Sequence, residues 1–187
     1  MSSVEFQGVT KKFGKTVAVE STDIVIEQGE FFSLLGPSGC GKSTTLRMLA
    51  GFLTPTTGRI MVNGRDITDL PPEARGIGIV FQNYAIFPHM NVFDNIAFGL
   101  VERREDKATI KRKVDAALEQ VGLTGYGERF ERELSGGQKQ RVALARVLVI
   151  EPEILLLDEP LSALDKQMRE EMKFWIKGIQ KSIGITT

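Results

Sequence analysis

The chain has 187 residues, with 24 lysines and arginines balanced by 24 aspartates and glutamates, so its formal net charge is zero. That length supports one domain with a real core, and the balance supplies no basic face for a nucleic-acid partner. Cys40 is the one cysteine, which excludes an intrachain disulfide and a cysteine metal centre. No apolar run approaches the roughly 18 residues of a membrane span, and the opening residues do not have a signal-peptide pattern, so a soluble protein of a reducing compartment is expected.

Residues 4–9 and 17–26 alternate or cluster β-branched side chains and predict strands. Residues 59–62 and 65–67 flank Asn63-Gly64, the strongest two-residue hairpin signal because both turn positions need positive φ. Together they predict a small antiparallel sheet. Residues 31–35 are mostly apolar and run into a glycine-rich loop, predicting a buried strand that feeds a helix from Lys42 to about Leu53. Residues 77–81 predict a second buried strand, ending at Gln82, and residues 154–157 a third, ending at Asp158-Glu159. Continuous apolar runs suit parallel strands covered on both faces, with the chemistry at their C-terminal ends.

Between Gln82 and Pro152 the pattern becomes helical. Ile110, Val114, Leu118 and Val121 share one face, with Gly122 placed to end the helix. Ser135 and Gln138 have the spacing of a capping box for a helix reaching about Ile150. A last helix is predicted from about Ala163 to Ser182, with Leu164, Met168, Met172, Trp175 and Ile176 along its core-facing stripe.

The loop Gly36-Pro37-Ser38-Gly39-Cys40-Gly41-Lys42-Ser43-Thr44 has the form G-x-x-x-x-G-K-[ST]. Its glycines let backbone N–H groups turn inward around phosphate oxygens, and the following helix adds the positive end of its dipole. Lys42 is suited to reach the β- and γ-phosphates, the Ser43 hydroxyl to ligate Mg²⁺, and Thr44 to donate to the α-phosphate. Cys40 reads first as a small residue in a tight loop and secondly as a reactive thiol at a helix N-terminus. Asp158 and Glu159 are adjacent carboxylates at a buried strand end, costly unless they have partners. The expected division is Asp158 on Mg²⁺ and Glu159 on the attacking water.

The third motif, Leu134-Ser135-Gly136-Gly137-Gln138, offers a hydroxyl and bare N–H groups at a helix start. With the loop upstream and the carboxylates downstream, the chain resembles the ATP-binding cassette (ABC) ATPase family over essentially its whole length. The resemblance implies an α/β fold: a P-loop NTPase core with a mainly parallel sheet, an antiparallel β subdomain and an α-helical insertion. It places the core and β subdomain at about 1–82 and 152–187, and the helical subdomain at about 83–151. It implies ATP and Mg²⁺ as ligands, and a head-to-tail homodimer in which Leu134 to Gln138 close on the γ-phosphate held by the other subunit. It makes Gln82 the Q-loop glutamine that senses Mg²⁺ and the lytic water. It makes Ser162-Ala163-Leu164-Asp165 the D-loop, with Asp165 acting across the dimer. Phe13 falls where an aromatic ring stacks on adenine, a position at which tyrosine is commoner.

Residues 82–90 are apolar beside a functional loop and hold the single histidine, His89. They either fill the helical subdomain's own core or, as the resemblance implies, receive a short helix from a membrane permease. The arrangement resembles the separate ATPases of bacterial importers, in particular those for polyamines, ferric iron, sugars or phosphonates. That implies a peripheral place on the cytoplasmic face of the inner membrane, an indirect extracytoplasmic substrate-binding partner, and no nucleic acid. Relatives of this kind carry a switch histidine one short strand after the last helix, and then a regulatory domain. No histidine follows Glu159, so a truncated cassette is expected, binding ATP but turning it over weakly or not at all. A nucleic-acid machine would need a long coiled coil between Lys42 and Ser135, and a small kinase would leave Gln82 and Ser135 without a role. An ABC ATPase that regulates a membrane complex rather than powering transport stays open on these residues.

Overall fold

Asn63 and Gly64 have φ of 53° and 75°, the positive pair that a two-residue hairpin demands. In the computed structural model, which describes residues 3–187, they join β3 (Thr57–Val62) to β4 (Arg65–Asp66). With β1 (Val4–Phe13) and β2 (Thr16–Ile26) these form an antiparallel sheet in the order β2-β1-β3-β4. Its core face carries Val4, Phe6, Val9, Ile60 and Val62, all buried. At Gly58 (φ 88°) a Cβ would lie 2.4 Å from the Gly8 carbonyl oxygen, so β3 meets the bulge in β1 only because the side chain is missing.

Contacts divide the chain into two compact units. One takes in the described residues up to Ile79, Glu153–Asp158 and Gln180–Thr187; the other takes in Val80–Pro152 and Glu159–Ile179. The first holds the antiparallel sheet, helix α1 (Lys42–Ala50) and the pair β5 (Ile77–Val80) and β6 (Ile154–Leu157). Its core packs Met48, Leu49 and Ala50 of α1 with the sheet face and with Ile154 and Leu156. The second holds α2 (Val92–Glu102), α3 (Lys107–Gln120) and α4 (Gly136–Leu148) around a core that includes Ile96, Leu100, Val114, Val121 and Ala145. Helix α5 (Lys166–Ile183) contributes to both units. Among the described residues no helix is long and apolar enough to cross a membrane.

Two sequence expectations change. Residues 31–35 are not a buried strand: Leu35 is 91% exposed. A strand needs a partner along its length; among the described residues this segment pairs at Phe32, whose N–H donates to Thr187 O (2.8 Å), and just before it Thr187 N donates to Glu30 O (2.9 Å). The helix after the loop stops at Ala50 rather than Leu53, because Gly51 turns left-handed (φ 88°) and its N–H closes on Arg47 and Met48. Helix α2 falls within the stretch predicted to be helical, and its apolar residues face solvent at Phe98 and Val101 as well as the core.

Arg75 closes the C-terminal end of α1. Only 5% exposed, it donates to the carbonyls of Met48 (2.8 Å), Leu49 (3.0 Å), Thr68 (2.9 Å) and Leu70 (2.7 Å). Burial pushes its pKa down, partly opposed by the charge of Asp69. A cation at a helix C-terminus complements the dipole, and Gly51 makes room for it, since a Cβ there would sit 2.6 Å from Arg75 Nε. Arg75→Met keeps the stem but orphans these carbonyls. It is expected to cost on the order of 3 kcal/mol, read as a lower midpoint in urea denaturation. An unchanged midpoint would contradict the role.

Candidate functional site

The glycine-rich loop and its helix belong to the first unit. Gly39 and Gly41 have φ of 85° and 94°, and Gly41 is the N-cap of α1 with no side-chain cap bond. The N–H groups of that first turn are therefore left for an external acceptor. Glycine is required at position 41, because a Cβ would lie 2.6 Å from the Ala18 carbonyl oxygen of β2. Pro37, Ser38, Gly39 and Cys40 are exposed, and Thr44 is half-buried in the first turn. Lys42 folds back over the loop: its Nζ donates to the carbonyls of Gly36 and Pro37, each at 2.9 Å, and lies 3.7 Å from Cys40 Sγ. The ammonium thus fastens the loop through oxygens that phosphate oxygens can replace.

Ser43 Oγ donates to Asp158 Oδ1 at 2.9 Å, and Asp158 is 9% exposed at the end of β6. Two of the three predicted metal ligands are therefore in direct contact. A hydroxyl and a carboxylate oxygen are the hard-oxygen donors that Mg²⁺ takes. Among the described residues no three of His, Cys, Asp and Glu gather as a metal cluster. Phe13 ends β1 opposite Thr16, about half exposed, with Lys11 Nζ 5.2 Å from its ring centroid. It stands near the start of β2, whose Ala18 borders Gly41.

The remaining predicted residues belong to the second unit. Gln82 Nε2 donates to Glu159 Oε2 at 3.4 Å. Glu159 has φ 46°, a left-handed conformation that is strained for a non-glycine residue and is a mark of functional sites. Its carbonyl accepts from Ser162 N (3.1 Å) and Ser162 Oγ (2.9 Å).

Ser135 caps α4 as the spacing predicts: Gln138 N donates to Ser135 Oγ (3.3 Å), and Ser135 N to Gln138 Oε1 (2.9 Å). Leu134 is buried behind the cap. A Cβ on Gly136 would meet Leu164 at 3.2 Å, and one on Gly137 would meet Met168 Sδ at 2.9 Å. The two glycines therefore let the start of α4 press against the turn that opens α5. There the Asp165 carboxylate accepts from Met168 N at 2.9 Å, so Asp165 caps its own helix.

Two side chains with no motif to announce them hold residues 82–90. Asn95, 1% exposed, accepts from Phe87 N (2.8 Å) and donates to the carbonyls of Phe87 (3.1 Å), Met90 (3.2 Å) and Asn91 (2.9 Å). Arg146 donates to Ala85 O (2.7 Å) and Tyr84 O (2.9 Å), with its guanidinium 5.1 Å from the Phe87 ring centroid. Ile86 packs on the helical core, while Phe81 and His89 are exposed.

Residues 19–162 match the family model described as ABC transporter. The chain belongs to that family. A spermidine/putrescine import ATP-binding protein, PotA of Bacteroides fragilis, is 53% identical over 99% of this chain and 40% of its own length. A sulfate/thiosulfate import ATP-binding protein, CysA of Mycobacterium bovis, is 53% identical over 95% of this chain and 51% of its own length. The chain spans about half the length of the curated relatives it matches. The solved structure of cbiO1 from Clostridium perfringens, described as part of the ABC transporter complex cbiONQ, superposes with a TM-score of 0.89. It is 34% identical and covers 98% of this chain and 75% of its own. The fold is the α/β fold of an ABC ATPase.

Ser135→Ala removes the capping hydroxyl from α4. It is expected to cost about 1 kcal/mol, lowering Tm by about 2–4 °C for a chain of this size. Calorimetry showing no shift would mean the cap contributes nothing to stability.

Proposed function

We propose that this chain is the nucleotide-binding part of an importer ATPase, binding MgATP on its P-loop and closing as a head-to-tail dimer beneath membrane permease subunits. The observation that carries the reading is the contact of Ser43 Oγ with Asp158 Oδ1 at 2.9 Å, in the same unit as the uncapped N-terminus of α1. The N–H groups of residues 39–44 and the α1 dipole bind the phosphates, and Lys42 exchanges its bonds to Gly36 and Pro37 for phosphate oxygens. Ser43 and Asp158 would hold Mg²⁺; the ion would supply charge neutralisation on the β- and γ-phosphates.

Glu159 orients the attacking water, and the Gln82 amide already hydrogen-bonded to it (3.4 Å) positions its carboxylate. Phe13 supplies a flat apolar face for adenine. From the partner subunit, Ser135, Gly136 and Gly137 present a hydroxyl and N–H groups to the γ-phosphate, while Asp165 lies at the dimer seam. Residues 82–90 receive a permease helix, which places the protein peripherally on the cytoplasmic face of the membrane. An extracytoplasmic binding protein is reached through the permease. The cargo is read outside this chain: relatives at 53% identity are named for polyamines and for sulfate, ions of opposite charge.

Ser43→Ala is expected to weaken MgATP binding about tenfold, the equivalent of 1.4 kcal/mol, while ATP affinity in EDTA stays within about twofold. Equilibrium binding of a fluorescent ATP analogue reads both. An equal loss with and without Mg²⁺ would contradict the assignment of Ser43 to the metal.

A further inference from the structure

We propose that Arg146 is a positioning residue that ties the turn at Tyr84 and Ala85 to helix α4, so that the segment 82–90 and the signature motif move as one body. Its significance for transport rests on the permease reading of that segment. The turn has two short-range backbone bonds of its own, Tyr84 N to Phe81 O (3.0 Å) and Ala85 N to Asn83 O (2.6 Å). Tyr84 and Ala85 both have left-handed backbones, with φ of 57° and 47°, although neither is glycine. Such conformations persist only where their surroundings impose them. Tyr84 contributes no bond through its side chain: its hydroxyl is buried without a partner among the described residues. Burial raises the Tyr84 pKa, which keeps that hydroxyl protonated and leaves an unpaired dipole in the interior.

Arg146 adds a side-chain constraint from helix α4. Its planar fork reaches two consecutive carbonyls, Ala85 O at 2.7 Å and Tyr84 O at 2.9 Å, while its face lies over Phe87. A guanidinium can bridge two acceptors in a fixed geometry; a lysine ammonium at the same reach is a point charge. Burial depresses the Arg146 pKa as well; its bond to Tyr84 O is partly buried, while that to Ala85 O is exposed.

The other end of the same helix is the capped start at Ser135. Arg146 is in the last turn of α4, about 15 Å along the axis from Gly136 at the standard rise per residue. A rigid rod with the signature at one end and the guanidinium at the other converts a shift at 84–85 into a shift at 135–137. Asn95 separately fastens residues 87–91 to α2. The segment therefore has two side-chain anchors, Asn95 at 87–91 and Arg146 at 84–85, the latter added to the turn's own backbone bonds and the burial of Tyr84.

Hydrogen exchange read by mass spectrometry on the full chain tests this, with Arg146→Lys and Arg146→Gln compared with the parent. Amides 84–86 are expected to exchange at least about tenfold faster in both variants. The Phe87 amide, bonded to Asn95, and the amides of α4 should keep their protection. Millimolar guanidinium chloride, but not equal sodium chloride, should restore protection in Arg146→Gln. Unchanged exchange at 84–86, or faster exchange spread evenly over 84–91, α2 and α3, would overturn the proposal. MgATP affinity is measured alongside: no binding by the parent chain would refute the nucleotide reading, while exchange at 84–86 still decides the role of Arg146.

Discussion

Ser43 and Asp158 meet at 2.9 Å because two unrelated constraints converge on them. From one side, the backbone at Gly41 must turn left-handed beside the Ala18 carbonyl, where no side chain fits, so that α1 starts with its N–H groups uncapped. From the other, β6 must be buried, so the strand of Ile154, Leu155 and Leu156 delivers Asp158 to its end with little exposure. A carboxylate brought there needs a donor, and the Ser43 hydroxyl provides one. Arg75 anchors the far end of α1 by its last carbonyls, fixing the helix at both ends. The phosphate end of the proposed site is therefore a consequence of how the first unit packs.

What the sequence made legible was local. Asn63-Gly64 specifies its own turn, Ser135 and Gln138 specify their own cap, and Ile110, Val114 and Leu118 specify a buried helix face, because each signal is complete within a few residues. The run at 31–35 is equally apolar but is not a strand. Its apolar composition is a local property, whereas strand pairing depends on a distant partner, here Thr187. The same distinction explains the missed side chains. Arg75 reaches back to residues 48 and 49, Asn95 to 87, Arg146 to 84 and 85, and Gln180 to Gly29. Such long-range fasteners leave no mark in periodicity, although each is a polar side chain within a stretch that must be buried.

These fasteners share one chemistry: a side-chain donor closing on backbone carbonyls of a segment that makes few ladder bonds of its own. Gln180, 4% exposed, donates to Gly29 O (2.9 Å) and Ile185 O (2.7 Å) and holds the region where Thr186 bridges Ile154. Buried polar groups cost free energy unless satisfied, so each fixes one arrangement of the loop it serves. Arrangements of that kind suit loops that must hold a position against a ligand or partner and then release it. Left-handed non-glycine backbone occurs at Glu159, Tyr84 and Ala85, in the loops proposed to sense nucleotide and permease, and also at Asn63, Arg104 and Glu151.

The central claim is that two copies close on ATP. Light scattering with and without MgATP, on this chain and on Glu159→Gln, tests it most directly. A dimer that forms with MgATP and persists in Glu159→Gln is the expected result, because that substitution keeps the shape of Glu159 while removing the carboxylate proposed to orient water. A monomer in all four conditions, with MgATP binding measured in the same samples, would contradict it.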